Sequence, residues 1–320
     1  METQHRHLDL KRNDHIYDFG AVFFLLVLYN TEEQSKEIYQ VSVKIVTDSG
    51  SDISQARAKE LGITVLPLTF RFGTEEYLDG VTMTPKEFYD RLEKEAELPK
   101  TSQIPPFRYG EVFKELTADG SDVLYVCISS GVSGTIQSAT MAASEFDGKV
   151  KVFDSRHFCI SEGLLAEYAK RLADEGKDLD EIYNELNRVR GKVRIIAIFA
   201  TLENLKKGGR ISSTAAFVGE VLSIKPLITI TDGVVDIPGK VRGMKKGYQA
   251  MRDYILNEGG IDLSMPCGYA YSGSDDTNIN EFIEMNKDLY GDLEVPTSYV
   301  GATVGTYAGS GAIATAYFVK

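Results

Sequence analysis

Short apolar runs alternate with longer segments of helical periodicity from residue 43 onward, and this alternation limits the folds that the chain can adopt. The run at 43–47 is followed by DSGSD, a sequence typical of a turn and a helix N-cap. The sequence TPKE at 84–87 combines a capping box with a proline at the first helical position, and it predicts another helix start. Strands that alternate with helices in this way predict an α/β fold with a mainly parallel sheet and helices on both faces.

The second half of the chain has a different pattern. Apolar runs at 227–231 and 234–237 flank Asp232 and Gly233, which is typical of a β-hairpin. The predicted helices span 53–61, 84–96, 134–146, 161–175, 179–190, 202–207, 214–222, 244–257 and 277–289. The predicted strands span 43–47, 63–70, 123–128, 149–153, 193–199, 227–231, 234–237, 267–271, 297–302 and 312–319. We therefore expect two α/β domains, 41–195 with a mainly parallel sheet and 196–320 with a mixed sheet.

The first forty residues differ from the rest of the chain. Their apolar run at 21–29 is nine residues long, and a membrane-spanning helix needs about 20. Acidic residues dilute the basic ones before this run, and no small-residue cleavage site follows it, so a signal peptide is not indicated. Two alternatives are a hydrophobic segment that packs on the body or on a partner, and a false extension with synthesis beginning near 41–43. The second is favoured, and we expect 1–40 to lie outside the fold.

Charge and cysteine usage exclude several classes of function. The 320 residues include 47 acidic and 35 basic side chains, a net charge of −12, which argues against nucleic acid as the main partner and against a polybasic membrane surface. The three cysteines are far apart without a CxxC pair, so we expect no metal site and a reducing cytoplasm. Of the four histidines, His157 alone lies beyond residue 15, so a mechanism that needs two histidines is disfavoured. We also expect no cofactor.

Hydroxyl-rich segments, rather than nucleotide-binding motifs, are the candidate chemistry. The chain contains no GxGxxG, no GxxxxGK[ST] and no GxSxG. The segment SSGVSGT at 129–135 follows a buried strand and opens a helix, where glycines let a ligand approach and hydroxyls and amides can hold an anion. The segment KTSQIPP at 100–106 predicts a rigid loop with adjacent hydroxyls. Capping and turn formation remain alternative explanations for both.

Three further segments have simpler interpretations. The basic turn KKGGR at 206–210 is typical of a helix C-terminus, where the helix dipole favours cations. The segment GTYAGSG at 305–311 predicts a flexible turn that could let the backbone contact a ligand. We expect His157 at the surface or at a helix start, and Cys127 as a small buried hydrophobic residue.

Taken together, these motifs resemble one family. From about 41 to 320 the chain resembles the DegV family of bacterial fatty-acid-binding proteins. The resemblance rests on several motifs in the same order: DSGSD (48–52), YLDG (77–80), KTSQIPP (100–106), ISSGVSGTIQSA (128–139), VFDSR (152–156), TLENLKKGGRIS (201–212), SIKPLITITDG (223–233) and GTYAGSG (305–311).

The resemblance implies a site between two α/β domains. A long acyl chain would be buried there, with its carboxylate held by a threonine of the TSQ segment and a serine of the SSGxSG segment. These positions correspond to Thr101 and to Ser130 or its neighbours Ser129 and Ser133.

Some members of the family present the fatty acid to a dihydroxyacetone-kinase-like fatty acid kinase, which phosphorylates the carboxylate with ATP. In those members an arginine after the hairpin and a histidine in the last glycine-rich turn matter. The arginine matches Arg242, whereas the histidine position is Tyr307 here, and the turn reads GSG where GPG is common. The resemblance therefore implies fatty acid binding more strongly than it implies phosphorylation of the bound acid.

The expected function is that of a non-catalytic, cytoplasmic carrier of a long-chain fatty acid, without stable insertion into a membrane. Burial of an acyl chain contributes about 0.8 kcal/mol per methylene before the costs of binding. One alternative is a hydrolase of acyl substrates with Ser130 or Ser133 as nucleophile, although only His157 or a lysine could act as its base. Another is a regulatory protein in which the lipid has a structural role.

Overall fold

The helices and strands of the protein are described by a computed structural model for residues 42–211 and 223–320. Segment 1–40 and the predicted helix at 214–222 lie outside the described residues. In the described part the strands are β1 (Val43–Asp48), β2 (Thr64–Leu66), β3 (Thr69–Phe72), β4 (Glu75–Leu78), β5 (Lys100–Ser102), β6 (Asp122–Cys127), β7 (Val150–Asp154), β8 (Val193–Ile198), β9 (Ile224–Thr231), β10 (Val234–Arg242), β11 (Gly268–Tyr271), β12 (Thr297–Tyr299) and β13 (Ile313–Phe318).

The helices follow most of the predicted segments. In the same residues they are α1 (Gln55–Leu61), α2 (Pro85–Leu92), α3 (Pro106–Leu116), α4 (Thr135–Ala143), α5 (Ile160–Asp174), α6 (Leu179–Val189), α7 (Glu203–Lys207), α8 (Met244–Asn257), α9 (Thr277–Asn286) and α10 (Ala302–Ala308). Short 3₁₀ turns span Ser49–Ser51, Arg190–Lys192 and Lys287–Leu289. The capping box predicted at α2 is present, because Thr84 and Glu87 each accept a hydrogen bond from the other's backbone N–H.

The first sheet is parallel throughout, as predicted. Its four strands run in the order β2-β1-β6-β7. The chain moves outward in opposite directions from the adjacent strands β1 and β6, so the sheet has a topological switch point between them. Ligands of open α/β sheets bind outside the carboxyl ends of strands at such a point. The segments that follow β1 and β6 here are the DSGSD and SSGVSGT motifs.

A small antiparallel sheet corrects two predictions. Its order is β4-β3-β5, and Phe70 of β3 pairs with Thr101 of β5. The single strand predicted at 63–70 is therefore wrong: β2 belongs to the parallel sheet and β3 to the small sheet. The rigid loop predicted at 100–106 is also wrong in its first part, because Lys100–Ser102 is a strand. This pairing joins segments about thirty residues apart, so local sequence patterns do not show it.

The second large sheet is mixed, as predicted. Its six strands run in the order β10-β9-β8-β13-β11-β12, and only the β11–β12 pair is parallel. The predicted hairpin is formed by β9 and β10. Both turn residues have left-handed φ, 51° at Asp232 and 82° at Gly233, which a two-residue hairpin turn needs.

A shared core joins the two large sheets. Helix α5 packs against β1 of the parallel sheet and against β8, β11 and β13 of the mixed sheet. One hydrophobic cluster contains Ile45 and Val126 from the first sheet, Leu165 from α5, and Ile195 and Ala314 from the second. The division at 195/196 falls within β8, and the two-domain assignment stays a prediction.

Three smaller predictions concern burial and local conformation. Cys127 is fully buried, as predicted, and it is a free cysteine, as are Cys159 and Cys267. His157 is 6% exposed, so the surface alternative is wrong, whereas its position two residues before the Cys159 N-cap of α5 agrees with the helix-start alternative. The flexible turn predicted at 305–311 is wrong in its first half, which belongs to α10. The helix ends only at Gly309, where φ is 69°. Across the residues that the structure describes, no helix is long and apolar enough to cross a membrane.

Candidate functional site

The main cavity lies at the carboxyl end of β6, against β5, α7, α10 and the β9–β10 hairpin. Its volume is about 560 Å³, within the roughly 300–1,000 Å³ typical of small-molecule sites. It is lined by Leu68, Thr101, Ser102, Gln103, Ile128, Ser130, Val132, Ser133, Gly134, Gln137, Phe158, Phe199, Leu205, Arg210, Ile228, Val235, Thr303, Val304, Tyr307 and Ala308. Three predicted carboxylate-binding residues, Thr101, Ser130 and Ser133, are therefore brought together with Tyr307.

Thr101 and Tyr307 form a hydroxyl pair on the polar wall of the cavity. Their oxygens are 2.7 Å apart, although 206 residues separate them in the chain. Strand β5 positions Thr101, and helix α10 positions Tyr307. Since the bond between the two hydroxyls uses one of their two protons, the other proton remains available to an anion in the cavity.

Ser130 and Ser133 differ in their available protons. The Ser130 hydroxyl donates to Asp154 Oδ2 at 2.6 Å, and the Ser130 amide donates to Oδ1 of the same carboxylate at 3.2 Å. The Ser133 hydroxyl lies 2.8 Å from the Thr135 hydroxyl, and either can be the donor. The proton of Ser130 is thus held by Asp154, whereas the Ser133–Thr135 pair keeps one proton free.

Ser129 has a structural contact instead. It is fully buried, donates its hydroxyl proton to the Gly233 carbonyl at 2.7 Å and does not line the main cavity. The contact brings the SSGVSGT segment against the hairpin turn. A Cβ atom on Gly131 would lie 2.6 Å from the Gly233 carbonyl oxygen, so glycine is required at this close approach.

Arg210 is a lining residue that the sequence interpretation missed, because the KKGGR turn was explained as a helix end. Its guanidinium carbon lies 4.7 Å from the centre of the Tyr307 ring, and its Nη1 donates to the Gly208 carbonyl at 2.7 Å. Among the described residues that line the cavity, Arg210 is the charged one. No carboxylate in the described residues forms an ion pair with it. The sequence did contain a signal for Arg210. This residue follows two glycines and lies beyond the last turn of the preceding helix, where interaction with the helix dipole is weakest, so capping does not explain its charge.

Arg242 does not join this group. It is exposed at the end of β10, and it is absent from the lining of the main cavity. Its predicted contact with the head group remains untested by the structure.

An apolar recess continues the main cavity toward the mixed sheet. It adds about 40 Å³, and its walls come from β8, β9, β11 and β13 of that sheet, from α10, and from Phe158 and Cys159. Five residues line both spaces: Phe158, Phe199, Ile228, Val304 and Ala308. The combined space is therefore polar and charged at one end and apolar at the other, a gradient that matches an amphipathic ligand.

Two buried carboxylates fix the helix that carries Tyr307. Asp79 accepts hydrogen bonds from the Ala302 and Thr303 amides at 2.8 and 2.9 Å, and Asp52 accepts from the Gly301 amide at 2.8 Å. These amides belong to the first turn of α10 and to the residue before it, where N–H groups have no partner within the helix. Burial raises the pKa of both carboxyl groups, that of Asp52 to about 8.

This burial predicts that stability falls as pH rises. The pKa of Asp52 is about 8 in the folded protein, against an ordinary value of 3.8, so the folded state binds more protons between these values. The free energy of unfolding should therefore decrease from pH 4 through pH 8. Urea denaturation at pH 5 and pH 8.5 should show that Asp52→Asn stabilises the protein relative to wild type more at the higher pH than at the lower. The exposed Asp90→Asn should leave the wild-type slope unchanged, and equal slopes for wild type and Asp52→Asn would contradict the prediction.

The hydroxyls of the cavity are not arranged as an activated nucleophile. In the described residues neither Ser130 nor Ser133 forms a hydrogen bond with a histidine or a lysine. The partner of Ser130 is a carboxylate, and the His157 side chain lines a different cavity. No group of three or more His, Cys, Asp or Glu residues in this part of the chain could hold a metal ion.

Comparisons with known proteins agree with this geometry. Residues 42–320 match the family model described as "Uncharacterised protein, DegV family". A DegV domain-containing protein of Caldanaerobacter subterraneus is 37% identical over 272 residues, which cover 83% of this chain and 95% of that protein.

Solved structures match the same region. One is a DegV family protein from Thermus thermophilus described as binding fatty acid. It is 31% identical, has a TM-score of 0.79 and covers 87% of this chain and 100% of its own. Another, from Eubacterium eligens, is described as loaded with heptadecanoic acid. It is 26% identical, has a TM-score of 0.77 and covers 87% of this chain and 100% of its own. The chain therefore belongs to the DegV family.

Proposed function

We propose that this protein is a non-catalytic, cytoplasmic carrier of a long-chain fatty acid. The observation that carries the proposal is the polarity gradient of its cavity, with hydroxyls and Arg210 at one end and the apolar recess at the other. The fatty acids named for the Thermus and Eubacterium proteins have the same polarity. Three free buried cysteines fit a reducing compartment.

The carboxylate would lie against Thr101, Tyr307 and Ser133, with Arg210 as its counter-charge. The Thr101–Tyr307 pair and the Ser133–Thr135 pair each supply one free hydroxyl proton. The Arg210 guanidinium has no carboxylate partner in the described chain. Hydrogen bonds between such donors and a carboxylate are charge-assisted and stronger than neutral ones. Ser130 contributes in a different way, since Asp154 holds its hydroxyl proton: it positions the loop that carries Ser133.

The acyl chain would extend into the apolar recess. Phe158, Phe199 and Ile228 line the passage from the main cavity, and the strand surfaces beyond it come from the mixed sheet. Each buried methylene contributes about 0.8 kcal/mol, so the chain supplies most of the affinity and the head group supplies orientation.

If these residues bind the carboxylate, their substitution should weaken the binding of a fatty acid more than the binding of the corresponding alcohol. Thr101→Val removes one hydroxyl of the pair, and a hydrogen bond to a charged group is worth about 1.5–3 kcal/mol. Binding of hexadecanoic acid should weaken about tenfold or more, whereas binding of hexadecanol should change less. Arg210→Gln should act in the same direction. Titration calorimetry on delipidated protein measures both ligands.

A matched control is Thr140→Val, which removes a threonine hydroxyl from the exposed face of α4. It should leave both affinities unchanged. Equal losses for acid and alcohol in Thr101→Val would remove the head-group role. Native mass spectrometry that finds no copurified mass of fatty acid size, together with no binding of added acid, would overturn the carrier function itself.

The proposal includes presentation of the acid to a fatty acid kinase. Ser130 and Arg210 are exposed, so the polar end of the cavity is close to the protein surface. Tyr307 replaces the histidine of phosphorylation-competent relatives, and a phenol donates a weaker hydrogen bond than an imidazolium. We therefore expect slow acyl phosphate formation when the loaded protein is mixed with such a kinase and ATP. Hydrolysis by Ser130 or Ser133 is less well supported, because in the described residues neither serine contacts a histidine or a lysine, and the partner of Ser130 is the weakly basic carboxylate of Asp154.

A further inference from the structure

A second cavity, of about 560 Å³, lies behind the hairpin turn and shares no lining residue with the main cavity. We call it the arginine cavity. Its charged lining residues are Arg156, Arg190, Arg194, Asp232 and Glu258, and its wall also includes His157 and Tyr254. Three guanidinium groups thus face two carboxylates, in a protein whose net charge is −12.

Arg190 is fixed in place without a counter-charge. Its Nη1 donates to the Asp154 backbone carbonyl at 2.7 Å, and its guanidinium carbon lies 5.4 Å from the centre of the Phe153 ring. No carboxylate in the described chain forms an ion pair with it. A carbonyl oxygen orients a guanidinium group but does not neutralise it, so Arg190 keeps donors for an external anion.

The other two arginines are also oriented by backbone carbonyls. Arg194 donates from Nη1 to the Gly191 carbonyl at 2.7 Å and from Nε to Glu258 at 2.7 Å. Arg156 donates from Nη1 to the Asp232 carbonyl at 3.2 Å, and its Nε lies 3.7 Å from an Asp154 carboxylate oxygen. Each of these ion pairs is at least partly exposed to solvent, so an anion of higher charge can compete for the guanidinium groups.

His157 adds a buried polar atom to the same wall. The residue is 6% exposed, and its Nδ1 has no hydrogen-bond partner in the described structure. Burial lowers the pKa of the imidazole to about 4, so the ring is neutral at pH 7 and has one N–H, which its hydrogen bond with the Arg190 backbone uses. The unpartnered Nδ1 is then an acceptor, suited to an N–H or O–H donor of a ligand. An unsatisfied buried polar group of this kind calls for a specific explanation, such as a ligand.

We propose that the arginine cavity binds a small phosphate-bearing molecule. A singly charged anion would neutralise Arg190 alone, whereas a phosphate group with two or more charges can also bond Arg156 and Arg194. The planar donor fork of arginine matches phosphate oxygens in pairs. The cavity is larger than a phosphate group and within the range of small-molecule sites, and Tyr254 supplies an aromatic surface for an organic part of the ligand.

The test is titration calorimetry of the full chain with inorganic pyrophosphate at constant ionic strength. We expect saturable binding of one pyrophosphate per chain. Arg190→Gln should weaken it about tenfold or more, since the lost hydrogen bonds are to a charged group. The matched control is Arg188→Gln, which removes the same charge two residues earlier from an exposed pair with Glu185, and it should change the affinity less than twofold.

A third variant separates ligand binding from damage to the fold. Asp232 is exposed, forms no ion pair in the described residues and has a φ of 51°, a conformation that asparagine tolerates. Asp232→Asn removes a repulsive charge, so pyrophosphate should bind several-fold more tightly. Absence of saturable binding by the wild type, an equal loss in Arg188→Gln and Arg190→Gln, or no gain in Asp232→Asn would each overturn the proposal.

Discussion

Ala308→Phe is expected to abolish binding of hexadecanoic acid while leaving binding of octanoic acid nearly intact. Ala308 lines both the main cavity and the apolar recess, so a benzyl group there would close the passage between them. If about five methylenes are displaced at about 0.8 kcal/mol each, the loss is about 4 kcal/mol, or about a thousandfold in affinity. Calorimetry with acids of increasing length should show that affinity stops rising once the chain reaches the blocked passage.

The controls separate blockage from unfolding. Ala118→Phe makes the same change at an exposed position that lines neither the main cavity nor the recess, and it should leave the dependence on chain length unchanged. Insertion of a large side chain into a packed site costs about 1–3 kcal/mol of stability, so melting temperatures must accompany the affinities. A folded Ala308→Phe protein that binds both acids like the wild type would show that the acyl chain does not use the recess.

Asp79→Ala is expected to destabilise the protein by about 2–4 kcal/mol, because it leaves two buried amides without an acceptor. The carboxylate is 2% exposed, and it accepts from the Ala302 and Thr303 amides and from the Ser49 hydroxyl at 3.1 Å. Burial raises the pKa of Asp79, and removal of the buried charge offsets part of this loss. Urea denaturation measures the change in the free energy of unfolding.

Helix α10 also positions Thr303, Val304 and Tyr307, so Asp79→Ala should weaken fatty acid binding as well. Asp79→Asn keeps one acceptor oxygen and should lose less stability than Asp79→Ala. Asp90→Ala removes an exposed carboxylate that pairs with Lys86, a contact worth at most about 1 kcal/mol. Equal effects of Asp79→Ala and Asp90→Ala would show that the α10 amides do not depend on Asp79.

Much of the secondary structure is encoded by neighbouring residues. Helix α8 has the predicted bounds, Met244–Asn257, because helix propensity and periodicity act within a few residues. The Thr84 capping box and the Asp232–Gly233 turn are present for the same reason: each depends on the hydrogen bonds or φ angles of a few adjacent residues. The ordered motifs were also sufficient to predict the family, since each is a local string.

The assembly of the candidate site depended on contacts that no local pattern contains. The Thr101 and Tyr307 hydroxyls meet only because β5 pairs with β3 and because Asp79 holds the start of α10. The position of Arg210 in the cavity also depends on such a contact, because its guanidinium lies beside the Tyr307 ring of a distant segment. In the sequence, the basic turn that contains Arg210 is explained as a helix end. The sequence alone therefore determined most of the elements, the α/β class and the family, through interactions between near neighbours. The tertiary structure decided which hydroxyls keep a free proton, which cation faces the cavity and that His157 is buried, because these properties arise from packing between distant segments.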